Sequence, residues 1–193
     1  MRVFIALDID QSIRERITRF LDGVREFAPD ARWVRTEGLH VTLKFLGEQT
    51  ASTVDAVKAA LQQVVLTPFN LAFRGYGFFP TPRAARVFWV GIEAGPELAG
   101  LAKKVDESTF ALGIPKEDHT YSPHLTLARA GSGAPRQQKS DVANRRFEQL
   151  QEKLASLSAP DFGSMTAQEF FLYESQLGRG GSRYSKLARF PLQ

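Results

Sequence analysis

Two stretches of this chain begin with histidine and read alike: His40-Val41-Thr42-Leu43 and His124-Leu125-Thr126-Leu127. The chain has three histidines, and two of them open the same word. Chance recurrence of such a word among so few histidines is on the order of one in ten thousand. An imidazole titrates near ~6.5, so one histidine can be neutral while another is protonated at neutral pH. The neutral one can take a proton from an attacking water or hydroxyl, and the protonated one can give a proton to a departing oxygen. A hydroxyl two residues on can donate to the non-bridging oxygens of a phosphate as charge spreads onto them. Two such pairs flanking one phosphorus suit acid–base work on a phosphodiester.

Other chemistries fit poorly. Three histidines without a single cysteine make a weak zinc set, and neither HExxH nor a carboxylate at ligand spacing surrounds His40 or His124. G-x-S-x-G, G-x-G-x-x-G and Walker A patterns are absent. No metal and no cofactor are expected.

The elements around the motifs must bring them together. Alternate side chains of a strand share a face. His40, Thr42 and Lys44 are therefore expected on one face of a strand running to Leu46, with Val41, Leu43 and Phe45 on the other. His124 and Thr126 likewise oppose Leu125 and Leu127. Residues 2–8 read as a buried strand. A helix with Ile13, Ile17, Phe20, Leu21 and Val24 on one face is expected to start at an Asp10 N-cap and to end by Pro29. A second helix carries Val54, Val57 and Leu61. Strands follow around 69–76 and 87–92, with a Pro- and Gly-rich turn between them.

The order then repeats. Pro96 opens a helix with Leu98, Leu101, Ala102, Val105 and Leu112 at helical spacing, stopped by Gly113 and Pro115. The second motif strand covers 124–128. Residues 131–135 read as a linker. A helix with Phe147, Leu150, Leu154 and Leu157 and two strands, 165–173 and 184–190, complete the chain. Each half thus reads strand, helix, motif strand, helix, strand. Two similar halves, each with a motif strand in its own sheet, would face each other across a cleft.

Composition sets the class. The chain has 193 residues, 43% hydrophobic and 24% charged, which is ordinary for a globular protein able to bury a core. No apolar run approaches the roughly 18 residues of a membrane helix, and the opening strand is too short for a signal-peptide core. The cytoplasm is the expected compartment. A net charge of +4 is compatible with a polyanion such as RNA, with positive clusters at Arg74, Arg83 and Arg86, at Arg145 and Arg146, and from Arg179 to Arg189.

These residues resemble the 2H phosphoesterase superfamily, and within it the RNA 2′,3′-cyclic phosphodiesterases, also called 2′-5′ RNA ligases. The resemblance extends over Arg2–Ala6, Trp33-Val34 with His40 to Gly47, Ala85 to Ile92, Ser122 to Arg129, Phe171 to Ser175 and the ending from Tyr184 to Leu192. It implies one two-lobed α+β domain over 1–193: two pseudo-symmetric lobes, each an antiparallel sheet with helices on its outer face, around a central cleft. It implies hydrolysis of RNA 2′,3′-cyclic phosphate ends to 2′-phosphates without metal or cofactor, with reversible 2′-5′ ligation as a second activity; a monomer is expected. It makes His40 the proton donor to the 3′ oxygen and His124 the proton acceptor from water, roles that spacing does not rank. Thr42, Thr126 and Arg129 would bind phosphate, although strict alternation puts Arg129 on the leucine face.

Many relatives carry arginine and phenylalanine where this chain has His119 and Tyr121. His119, beside Asp118, is expected on a surface loop, with a third cleft imidazole as the alternative. Tyr76, Phe78 and Phe79 are candidates to stack on a base, with core packing the commoner fate. Competing readings are a non-catalytic RNA-end binding module and a phosphodiesterase for another cyclic phosphate, such as one derived from ADP-ribose.

Overall fold

The computed structural model describes residues 1–131, 145–179 and 181–193. The linker-like run from 132 onward and the polar segment after it lie outside these residues. Among the described residues nine strands and four α-helices follow in order: β1 (Arg2–Asp8), α1 (Gln11–Val24), β2 (Ala31–Trp33), β3 (His40–Glu48), α2 (Ala51–Leu61), β4 (Phe69–Phe79), β5 (Val87–Ala94), α3 (Pro96–Phe110), β6 (His124–Ala130), α4 (Glu148–Ala155), β7 (Asp161–Ala167), β8 (Glu169–Gly178) and β9 (Gly181–Pro191). They form a four-stranded sheet, β3-β1-β8-β9, and a five-stranded sheet, β2-β6-β5-β4-β7, antiparallel throughout. The α+β class and the two-sheet arrangement are as expected.

Strand β1 shows how the sheets are clad. All five residues from Val3 to Leu7 are buried, but they divide by parity. Val3, Ile5 and Leu7 join the main core, together with Ile13, Ile17 and Leu21 of α1, Val54 and Val57 of α2, and Leu98 and Leu101 of α3. Phe4 and Ala6 point the other way and form a separate cluster with Phe171 and Tyr173, against which Tyr184 packs. The helices thus cover one face of each sheet, and the opposite faces remain for the cleft. Asp10 stands at the N-cap of α1 without a side-chain hydrogen bond; its carbonyl accepts from Ile13 N and Arg14 N instead.

Three expectations change. The strand expected over 165–173 is two strands in different sheets: β7 ends at Ala167, β8 begins at Glu169, and only Gln168 lies between them. Apolar patterning runs through the switch, because Ala167 and Phe170 are both buried, so periodicity gave no warning of it. The last expected helix is also shorter than its apolar spacing suggested. Phe147 lies in a 3-10 turn ahead of α4, and Leu157, past its end, is exposed.

The third change concerns the halves. Each motif strand does lie in its own sheet, but neither sheet is built from one half of the chain. The four-stranded sheet joins β1 and β3 from the beginning to β8 and β9 from the end, while β2 and β4 cross into the sheet of the second motif.

Candidate active site

Motif strands β3 and β6 run alongside each other where the two sheets meet. They share an irregularity that plain alternation does not foresee. In β3, Ile5 pairs with Lys44 and Ala6 with Thr42, so Leu43 is an extra residue. In β6, Phe88 pairs with Ala128 and Trp89 with Thr126, so Leu127 is an extra residue. Each motif therefore ends in a β-bulge, which reverses side-chain parity beyond it. The first six residues of both strands follow one burial order: half-buried, buried, half-buried, buried, buried, exposed.

The bulges correct three expectations. Phe45 is not on the leucine face; it is 54% exposed, lines the cleft, and its ring lies 5.8 Å from that of Phe4. Arg129, its counterpart on β6, reaches the face of His124 and Thr126 without leaving the strand. Lys44 moves the opposite way. It is buried, and its ammonium donates to Asp106 Oδ1 at 2.6 Å and Thr109 Oγ1 at 2.9 Å on α3. Burial opposes the Asp106 charge, yet the hydrogen bonds from Lys44 and from the Glu117 amide hold its carboxyl below the ordinary range.

The two imidazoles are held alike. Nδ1 of His40 donates to the Gly38 carbonyl at 2.6 Å, and Nδ1 of His124 donates to the Ser122 carbonyl at 2.8 Å. A carbonyl only accepts, so Nδ1 carries the hydrogen and Nε2 keeps a lone pair. Each ring also meets an aromatic edge-on: Tyr184 against His40 at 5.1 Å, and Phe79 against His124 at 4.9 Å. Phe4 lies under His40 at 4.7 Å and stacks on Tyr173. Gly38 leaves room for the Tyr184 ring, since a Cβ at that position would come within 3.1 Å of it and press it aside by a few tenths of an ångström.

Burial is the main cause that lowers both histidines, His40 to about 4 and His124 below its ordinary value. The Arg129 charge lowers both as well, which places its guanidinium in the field of each ring. Only His40 has a nearby carboxylate working the other way, that of Asp8, its register partner on β1. Asp8 is itself held by Arg14 at 2.7 Å and Lys186 at 2.6 Å. The free site therefore holds two neutral imidazoles at pH 7.

His40, Thr42, His124, Thr126 and Arg129 all line one cleft of about 1120 Å³. Tyr121 closes one wall, its hydroxyl donating to the Thr42 carbonyl at 2.9 Å, with burial pushing the phenol above its ordinary value. His119 is exposed, as expected of a loop residue, and it also reaches the cleft rim. Of the three stacking candidates, Phe78 is buried and stacked on Phe88 and Tyr76 packs on the main core, which leaves Phe79 beside His124. Sequence reasoning missed Phe4, Phe45, Tyr184 and Arg32 as cleft residues. Among the described residues, no group of three or more His, Cys, Asp and Glu side chains is gathered to hold a metal ion. Nor is any helix among them long and apolar enough to cross a membrane.

A family model described as LigT-like phosphoesterase matches residues 7–89 and again 90–184, one motif in each match. The chain belongs to that family. It is 32% identical over 190 residues to the RNA 2′,3′-cyclic phosphodiesterase of Archaeoglobus fulgidus, covering 98% of this chain and 99% of that one. It is 29% identical to the Escherichia coli protein of the same name, over 99% of this chain and 96% of the relative. Among solved structures, Escherichia coli LigT complexed with 3′-AMP superposes with a TM-score of 0.78 at 29% identity, covering 99% of this chain and 97% of that one. The double match agrees with the like bulges and like histidine anchors of β3 and β6.

Proposed function

We propose that this LigT-like chain hydrolyses RNA 2′,3′-cyclic phosphate ends to 2′-phosphates. The observation that carries the reading is the matched pair of strands, each presenting a free imidazole Nε2 and a threonine hydroxyl to one cleft. Relatives named RNA 2′,3′-cyclic phosphodiesterase and a LigT structure with 3′-AMP bound support the substrate class. We further propose a cytoplasmic monomer, since one chain carries both motifs and a single copy can supply both proton carriers.

In this mechanism His124 Nε2 takes a proton from water as the water oxygen attacks phosphorus. The bond from phosphorus to the 3′ oxygen breaks on the far side, and His40 gives that oxygen its proton. Thr42 and Thr126 donate to the non-bridging oxygens, and Arg129 balances the charge that develops there. Asp8 is a carboxylate near His40 that favours its cation, and His124 has none. Burial outweighs it in the free site, so the division of roles follows the family resemblance. The free His40 is neutral, so it gains its proton along with the anionic phosphate. A ribose 5′-hydroxyl in the place of water would turn the same displacement into 2′-5′ ligation. A receptor that only binds RNA ends needs neither Nε2 free, which disfavours that alternative.

The test is incubation with a 2′,3′-cyclic dinucleotide in EDTA. We expect turnover and a 2′-phosphate product. A purely 3′-phosphate product overturns the mechanism, and loss of turnover in EDTA overturns its metal independence.

A further inference from the structure

Arg32 is the middle residue of β2, the short edge strand of the five-stranded sheet, and it pairs in register with Arg129 of β6. Residues directly opposed in an antiparallel pair share a face, so the bulge that brings Arg129 to the cleft face brings Arg32 there too. Both line the cleft and both are exposed. Among the described residues neither has a hydrogen-bond or ion-pair partner. Other arginines of the molecule do: Arg14 pairs with Asp8, Arg74 with Glu93 and Asp161, and Arg189 with Glu169. Like charges directly opposed on a sheet repel, so two unpaired guanidiniums side by side call for an anion.

The pair is also rigidly mounted. Trp33 donates its indole N–H to the Ala28 carbonyl at 3.0 Å and meets Phe88 edge-on, and Val34 N donates to the Leu127 carbonyl at 2.8 Å. Arg129 acts on both histidines, while Arg32 stands one strand farther out, ~5 Å beyond it.

We propose that Arg32, with Arg129, binds a second phosphate: the internucleotide phosphodiester on the 5′ side of the RNA's terminal nucleoside. This rests on the proposed function, which puts the terminal phosphate between the histidines. Guanidinium forks match phosphate oxygens in charge and geometry. The subsite makes the cleft favour an oligonucleotide end over a lone nucleotide.

The test compares dissociation constants for a 2′-phosphorylated dinucleotide and a nucleoside 2′-monophosphate, which need no turnover. We expect the wild-type chain to bind the dinucleotide about tenfold more tightly, as a charge-assisted contact allows. Arg32→Ala should remove most of that preference and lower the salt slope of dinucleotide binding by about 1, and Arg32→Lys should keep most of it. Because Arg32 is exposed, circular dichroism should show the variants folded. A wild-type chain without the preference, or an Arg32→Ala chain that keeps it, overturns the subsite. Absence of turnover on the cyclic dinucleotide with the binding preference intact would overturn the hydrolytic reading and leave the subsite standing.

Discussion

His40 and His124 have the same tautomer, like backbone anchors and an aromatic edge each, and among the charges that act on them only His40 has a carboxylate, that of Asp8. Each side chain carries one proton transfer. Either His→Ala variant should therefore lose ~10²–10⁴-fold in kcat while still melting cooperatively, and wild-type rates in His124→Ala would refute the assignment. A second expectation follows from the depressed pKa of His40. Bound anion raises it above about 4, so binding takes up a proton. Affinity for sulfate, whose own charge is constant there, should rise as pH falls toward about 4, by at most tenfold per unit for one proton. Calorimetric titration at several pH values measures this, and His40→Gln should flatten the curve.

At the scale of elements, the two bulges and the staple beside them set the site. Lys44 ties β3 to α3, and Asp106 in turn holds the Glu117 amide on the way to Tyr121, which bonds back to Thr42. The partners are unequally buried: the Lys44 side chain is 1% exposed and that of Asp106 is 21% exposed. Asp106→Ala, which strands a buried ammonium, should cost ~3 kcal/mol or more. Lys44→Met should cost less, because the Asp106 carboxylate can rehydrate and keeps its amide donor. Urea denaturation of both variants tests the order, and a larger loss for Lys44→Met would contradict it.

The motif words, the helical faces and most strands were legible, since they rest on local periodicity. What was not legible depends on partners distant in sequence. A bulge at Leu43 exists only against Ile5 and Ala6, the exposure of Phe45 follows from it, and the Arg32–Arg129 pair requires a register that no local pattern encodes. The turn at Gln168 was hidden because buried residues continue on both sides of it.

At the scale of the whole molecule, the neutral buried imidazole of His40 is itself a stability term. Its folded pKa of about 4 lies below the unfolded ~6.5, so between those values the unfolded chain binds more protons. Stability should fall as pH drops through that window, by up to ~3 kcal/mol from this group. Replacing His40 with Gln should reduce the acid sensitivity of the denaturation midpoint, and an unchanged slope would show that the group titrates normally.

The mixing of early and late strands has a consequence in time. The sheet that carries the first motif joins strands made far apart in time, with β1 and β3 waiting for β8 and β9. Until those arrive, Phe4 has neither Tyr173 nor Tyr184 to pack against, and His40 lacks the ring that meets its edge. Closing so long a loop is slow. A chain that has not yet made β8 and β9 therefore holds the first motif in an unfinished sheet, and the His40 side of the cleft forms only after they arrive.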